Sequence, residues 1–175
     1  MIKGVLHTVE QEIKEVTPQE IPALCEMAKR LWVEHYTPIL PQGQPEYMVD
    51  KFQSEPAIRH QVESEGYQYF WLIQDGRPAG YTAIQPQKDG SLFLSKIYVD
   101  KAYRRNGLAS MAVERFRNLC REKGYTKLWL TVNRLNQGSI AAYKKLGFIK
   151  TRSQVADIGQ GYVMDDDIME WKNAG

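Results

Sequence analysis

The run SLFLSKIYVD at 91–100, then KAYRRNG, then LASMAVERFRNLCREKG, constrains this chain more than any other stretch. An apolar segment of strand length gives way to a segment with helical spacing. In that second segment Ala109, Ala112, Val113, Phe116, Leu119 and Cys120 share one face, and Lys123-Gly124 supplies a stop. Between the two lie Arg104, Arg105, Asn106 and Gly107. Asn-Gly is turn chemistry, because both residues tolerate positive φ. The result is a strand–turn–helix with two cations on the turn. A helix start leaves its first N–H groups unpaired, and the helix dipole makes that end partly positive. Gly107 removes the Cβ that would hold a ligand off the backbone. After Leu108, small Ala109 and Ser110 leave room in the first turn. Such a turn suits a pyrophosphate. A tight connection with two solvated arginines accounts for the same residues.

The flanking segments order themselves around it. EIKEV (12–16) reads as a short strand. Thr17-Pro18-Gln19-Glu20 reads as a helix start, with Thr as N-cap, Pro in the first turn and Glu at the capping-box site. That helix ends before Thr37-Pro38. Residues 38–45 form a loop, and 46–66 are helical with a break near Ser54-Glu55-Pro56. YQYFWLIQ (67–74), YTAIQP (81–86) and 91–100 read as three strands of an antiparallel meander, with turns at Asp75-Gly76 and Lys88-Asp89-Gly90. TKLWLTVN (126–133) alternates as a strand, SIAAYKKLG (139–147) is a short helix ended by Gly147, and two further strands follow. The expected order is β-α-α-β-β-β-α-β-α-β-β.

Several function classes are disfavoured at once. The 175 residues suit one domain, 1–175, and a net charge of +2 gives no electrostatic argument for nucleic acid or an anionic membrane. Lys101, Arg104, Arg105, Arg115, Arg117 and Arg121 are nearly balanced by acids elsewhere and lack a stacking motif beside them. No apolar run reaches the roughly 20 residues of a membrane span, and the N-terminus lacks a signal-peptide core. A cytoplasmic protein is expected. Two cysteines, Cys25 and Cys120, make neither a disulfide framework nor a zinc site, and no metal is expected. A P-loop needs Lys-Ser/Thr after its second Gly, and a dinucleotide fold needs G-x-G-x-x-G in a parallel unit; neither is present.

The whole order carries more information than the turn alone. LSKIYVD, then R-R-N-G-L-A, a helix, LWLTVN, and N-x-x-S-x-x-x-Y-x-x-L-G-F from Asn136 to Phe148 resembles the GNAT superfamily of N-acetyltransferases. Arg104-x-x-Gly107-x-Ala109 matches that family's acetyl-CoA signature, Gln/Arg-x-x-Gly-x-Gly/Ala. The resemblance implies an α/β (α+β) fold. Its sheet would be mixed and mostly antiparallel, of about seven strands with helices on both faces, splayed between the fourth and fifth strands. It implies that Ile97, Tyr98 and Val99 pair through their backbone with the pantetheine arm of acetyl-CoA. A backbone N–H near Tyr98 would polarise the acetyl carbonyl, and the amides from Arg105 through Asn106, Gly107, Leu108 and Ala109 to Ser110 would cradle the diphosphate. Tyr143 would protonate the leaving thiolate after direct attack by an amine; Ile140, Tyr143, Leu146 and Phe148 could equally form an apolar face. Asn136 would hold pantetheine or a water, or act as a loop or cap residue. Ser139 reads as the N-cap of the short helix. Lys144 and Lys145 would reach the 3′-phosphate or face solvent.

The acceptor should come from 32–65 and the end of the sheet. Trp32, His35, Tyr36 and Tyr47 are the candidate substrate residues, with Glu46 and Asp50 beside them. Asp165-Asp166-Asp167 adds a negative cluster between the last strands, or a solvated turn. A cation would be drawn to such surfaces. The C-terminal pattern resembles the bacterial spermidine/spermine N-acetyltransferase branch, which points to a polyamine or another small primary amine. A peptide N-terminus, a protein lysine, or a non-catalytic CoA-binding regulatory module on the same fold are the alternatives; Tyr143 and Asn136 together argue against the module. No general base stands out: His7, His35 and His60 are scattered, and Cys25 and Cys120 lie on apolar helix faces. Val163, Met164, Ile168, Met169 and Trp171 would serve a homodimer or simply the sheet core.

Overall fold

The computed structural model, which describes residues 8–175, contains seven strands and five α-helices among those residues. His7 lies outside the described residues. The strands are β1 (Gln11–Glu15), β2 (Gln68–Gln74), β3 (Arg77–Pro86), β4 (Leu92–Val99), β5 (Lys127–Asn133), β6 (Ile149–Gly159) and β7 (Tyr162–Lys172). The helices are α1 (Ile21–Tyr36), α2 (Gln44–Phe52), α3 (Glu55–Ser64), α4 (Leu108–Lys123) and α5 (Gln137–Lys145). One sheet runs β1-β2-β3-β4-β5-β7-β6. All neighbours are antiparallel except β4 and β5, which pair parallel at Leu92↔Leu128 and Phe93↔Trp129 alone. Beyond those pairs the two strands part. The expected splayed mixed sheet is therefore present.

Helices cover both faces, each over its own apolar cluster. On one face Leu94, Leu108, Val113, Phe116, Leu130 and Ile140 join α4 and α5 to the sheet. On the other, Leu24, Leu31, Trp32, Met48, Ile58 and Tyr81 join α1, α2 and α3 to it. A register shift in the β3–β4 pairing falls between Ala83↔Lys96 and Ile84↔Leu94, leaving Ser95 as an extra residue. A bulge of this kind swaps which face the following side chains take. Leu92, Leu94, Ile97 and Val99 thus all belong to the α4 face, whereas Tyr98 joins the α1 face.

Local chemistry adjusts several expectations. The helix expected from Thr17 begins with a 3-10 turn over Pro18–Glu20, and the α-helix starts at Ile21. Pro22 has no N–H to give Pro18, so Ile21 closes a tighter bond to the Pro18 carbonyl instead. Thr17 N–H does donate to Glu20 Oε1 at 3.0 Å. The break near Ser54 is real: the Ser54 side chain accepts from Ala57 N and opens α3. The loop before α2 is shorter than expected, because α2 already begins at Gln44.

The three consecutive aspartates are not a turn. They lie inside β7, where Asp166 pairs with Asn133 and Asp167 with Val132 across the β5 ladder. Asp165 meets Arg134 at 3.3 Å and Asp167 meets Lys150 at 3.0 Å. Asp166 is 5% exposed, and its Oδ1 has no hydrogen-bond partner among the described residues. Burial, then the charges of Asp165 and Asp167, push its carboxyl up to about 6.

Two outcomes follow for stability. A Cβ on Gly80 would overlap the Tyr98 carbonyl oxygen and crowd Val99 Cα at 3.0 Å. Gly80→Ala should lower stability by about 1–3 kcal/mol in urea unfolding. Asp166 holds its proton more tightly folded than unfolded, so lower pH favours the native state through it and neutral pH penalises it. Asp166→Asn should gain about 1–3 kcal/mol at pH 7, with the gain gone below about pH 4. A pH-independent difference would contradict the assignment.

Candidate active site

The parting of β4 and β5 opens a cavity of about 420 Å³, walled by both strands, by His35, Tyr36 and Ile39, and by α5 from Asn136 to Tyr143. A second groove of about 330 Å³ runs from it to the start of α4 and is lined by Arg104, Arg105, Gly107, Leu108, Ala109 and Ser110. Ile97, Val99, Arg104, Ser139, Ala142 and Tyr143 line both, so the two form one continuous channel.

At the groove end, the turn is tighter than Asn-Gly alone suggests. A 3-10 turn spans Lys101–Tyr103, opened by Asp100, whose side chain accepts from Ala102 N. The positive φ values fall on Arg105 (66°) and Gly107 (84°), not on Asn106. Asn106 instead offers its carbonyl to Gln11 Nε2 at 2.7 Å, which ties the turn to β1. Gly107 is the N-cap of α4 and no side chain caps the helix. The Leu108, Ala109 and Ser110 amides therefore have no intrahelical partner. A Cβ built on Gly107 meets nothing within 4 Å. Arg104 and Arg105 are exposed, and Arg104 Nε donates to Val99 O at 3.2 Å. These donors and this open space fit a diphosphate.

On β4 the direction of the backbone decides which groups face the gap. Asp100 N donates to Ala79 O, one step beyond the Gly80↔Val99 pair. In an antiparallel ladder such hydrogen-bonded pairs alternate with outward-facing ones. Tyr98 N–H and C=O therefore turn toward β3, and Ile97 and Val99 present theirs to the gap. The amides near Tyr98 that face the gap are thus those of Ile97 and Val99, one residue to either side.

The Tyr98 side chain points to the α1 face. Its hydroxyl sits 2.9 Å from that of Tyr36, and its ring packs against Trp32 and Tyr81 at 5.5 and 5.6 Å. Burial raises both phenols, Tyr36 to about 12. Tyr143 lines the cavity, with its ring 5.9 Å from Phe148. Burial holds the pKa of its hydroxyl well above the ordinary phenol value. A phenol in that condition keeps its proton at neutral pH and can donate it.

Asn136, not Ser139, is the N-cap of α5: its Oδ1 accepts from Ser139 N at 3.1 Å. The amide oxygen being so engaged, the Nδ2 donates to His35 Nε2 at 2.7 Å. His35 Nε2 must then be the bare nitrogen, with its proton on Nδ1. Burial, and then Arg104, lower the His35 pKa, consistent with a neutral ring.

Other sequence candidates stand apart. Trp32 is buried beneath the cavity and donates from Nε1 to Tyr81 OH at 2.6 Å. Tyr47 donates to Ile158 O at 2.6 Å, binding α2 to the β6–β7 hairpin. Glu46 and Asp50 line a separate cavity of about 410 Å³ between α1 and α2. Lys145 is exposed near the end of α5, and His60 is exposed beside Glu65 at 3.3 Å. Burial pushes the Cys25 and Cys120 thiols up to about 11, which removes them as thiolate nucleophiles near neutral pH. Two residues that sequence reading passed over, Ser95 and Lys96, line the cavity. A lysine among LFLSKIYV was the available signal. Among the described residues no cluster of His, Cys, Asp and Glu could hold a metal, and no helix is long and apolar enough to cross a membrane.

Comparison with known proteins places this architecture. The pattern of the Acetyltransferase (GNAT) family matches residues 27–148. N-acetyltransferase 8 of Mus musculus is 30% identical over 95 residues, covering 51% of this chain and 42% of that protein. The chain spans about half the length of the curated relatives it matches. Among solved structures, the PaiA N-acetyltransferase of Thermoplasma acidophilum in complex with coenzyme A superposes with a TM-score of 0.74 at 19% identity, covering 93% of this chain and 99% of that one. YncA of Salmonella typhimurium, solved with its cofactor acetyl-CoA, gives 0.63 at 18% identity, covering 93% and 94%. With its whole strand–turn–helix core inside the matched segment, the chain belongs to the acetyltransferase (GNAT) family.

Proposed function

We propose that this protein transfers an acetyl group from acetyl-CoA to the primary amine of a small cationic molecule, a polyamine being the leading class. The observation that carries this reading is the continuous channel from the bare amides of α4 to the Tyr143 hydroxyl. Family membership supports the reaction class, and the two related folds above are described with coenzyme A or acetyl-CoA.

The chain's own groups divide the work. The amides of Leu108, Ala109 and Ser110, with Arg104 and Arg105, hold the diphosphate. The outward backbone of Ile97 and Val99 pairs with the pantetheine arm, and one of those amides polarises the acyl carbonyl. Acetyl-CoA supplies an activated thioester. Tyr143 donates its hydroxyl proton to the departing sulfur. Asn136, held by His35 and Ser139, fixes the start of α5 and so the position of Tyr143.

A thiol-release assay with acetyl-CoA and a panel of polyamines, amino acids and peptides tests the reading. Wild-type protein should release CoA fastest with a polyamine; no release with any amine would sink the proposal. Tyr143→Phe should lower kcat by about 100-fold while leaving the acetyl-CoA Kd within a few-fold. Full turnover in that variant would remove the phenol from its role.

A further inference from the structure

Lys96 sits in the middle of β4 with only 8% of its surface exposed. An ammonium in such a place is costly unless it is paired. Among the described residues its Nζ meets no carboxylate. It donates to Ser95 Oγ at 2.9 Å and lies 5.0 Å from the Tyr67 ring centroid and 5.5 Å from that of Tyr69. The rings favour the cation modestly, whereas burial opposes it.

Its place in the sheet is as notable as its environment. β4 and β5 pair last at Phe93↔Trp129, so Ser95 and Lys96 are near the apex of the parting. The bulge at Ser95 turns Lys96 to the face that carries Tyr98 and α1. Both Ser95 and Lys96 line the cavity that Tyr98 and Tyr143 also line. That is the side from which an acceptor must approach if the α4 groove holds the donor.

We propose, on the acetyl-transfer reading above, that Lys96 is the general base, taking a proton from the acceptor's ammonium with Ser95 Oγ as its hydrogen-bond partner. The lone pair of Lys96 Nζ accepts one proton, leaving a neutral amine and an ammonium on Lys96. When the amine nitrogen bonds the acyl carbon and the carbon–sulfur bond breaks, Tyr143 gives its proton to sulfur. The second proton of the attacking nitrogen restores the Tyr143 hydroxyl, and Lys96 returns its proton to solvent.

The groups facing Lys96 are few. Glu65, at the end of α3, raises its pKa; Tyr67 precedes β2, Tyr69 lies on β2, and Ser95 is its neighbour on β4. His35, Tyr36, Tyr98, Arg104 and Tyr143 are the other ionisable walls of the cavity. Burial outweighs Glu65 and brings Lys96 down to about 7. Among the ionisable walls of the cavity the alternatives are occupied or of the wrong sign, and Asp166 does not line it. His35 Nε2 already accepts from Asn136, and the phenols hold their protons.

The test compares wild type, Lys96→Met and Lys96→Arg in kcat/KM against pH, using acetyl-CoA with spermidine and with an arylamine that is neutral at pH 7. Methionine keeps the stem's volume without the amine; arginine keeps a permanent charge. Both variants should lose about 100-fold with spermidine, together with the acid-limb rise in kcat/KM centred near pH 7. With the arylamine, which needs no first deprotonation, Lys96→Met should fall by less than about tenfold. Acetyl-CoA binding should stay within a few-fold of wild type. Equal losses with both amines would mark Lys96 as structural and overturn the proposal, as would an unchanged pH profile in Lys96→Met. Wild type inactive with every amine would instead remove the acetyl-transfer reading, and this inference with it. Should Lys96→Met not fold, an NMR titration of the lysine side chain in the unaltered protein decides. A midpoint near 7 supports the base, and one above about 9 excludes it.

Discussion

Everything in the site depends on two adjacent strands that fail to stay paired. β4 and β5 share only Leu92↔Leu128 and Phe93↔Trp129 before they separate. A strand edge left open inside a protein exposes unpaired amides and carbonyls, which is costly unless something binds them. Here the open edge belongs to Ile97 and Val99 and lies along a cavity. Such an edge is a row of backbone donors and acceptors with which an extended ligand would pair.

The rest of the fold keeps that gap open. Phe93 and Trp129 stack at 4.3 Å where the strands still touch, and Trp129 Nε1 donates to Ser91 Oγ at 3.0 Å. Each side is anchored to its own apolar cluster. On the α1 side, Trp32, Tyr81, Gln53, Tyr69 and Gln61 form a buried hydrogen-bonded chain, Trp32 to Tyr81 at 2.6 Å and Tyr81 to Gln53 at 2.7 Å. Satisfied buried networks of this kind rigidify the wall they occupy. On the α4 side, Gln11 and Arg104 hold the turn at both ends. Preorganised donors are useful because they need no rearrangement when charge arrives.

Much of this was legible in the residues. The meander, the helix after RRNG and the short helix holding Tyr143 were set by strong punctuation and period. What escaped were features set by tertiary partners. Asp165-Asp166-Asp167 reads as a polar turn, yet β5 and β6 on either side draw it into a strand. Asn136 displaced Ser139 as the cap because α5 begins two residues before Ser139. Trp32 and Tyr47 look like substrate contacts by type, but their polar atoms are committed to Tyr81 and Ile158. The bulge left a trace that strict alternation overlooks: apolar residues at 92, 94, 97 and 99 change parity at Ser95. That change of parity is also what turns Tyr98 and Lys96 to the α1 face.

The central claim is that the open edge of β4 and the bare amides of α4 together hold acetyl-CoA. Residue-resolved amide hydrogen exchange, with and without acetyl-CoA, tests it most directly. Ile97, Val99, Leu108, Ala109 and Ser110 should become markedly slower in its presence, while Tyr98, already turned to β3, changes little. Slowing confined to the cavity between α1 and α2, or none at Ile97 and Val99, would contradict the account.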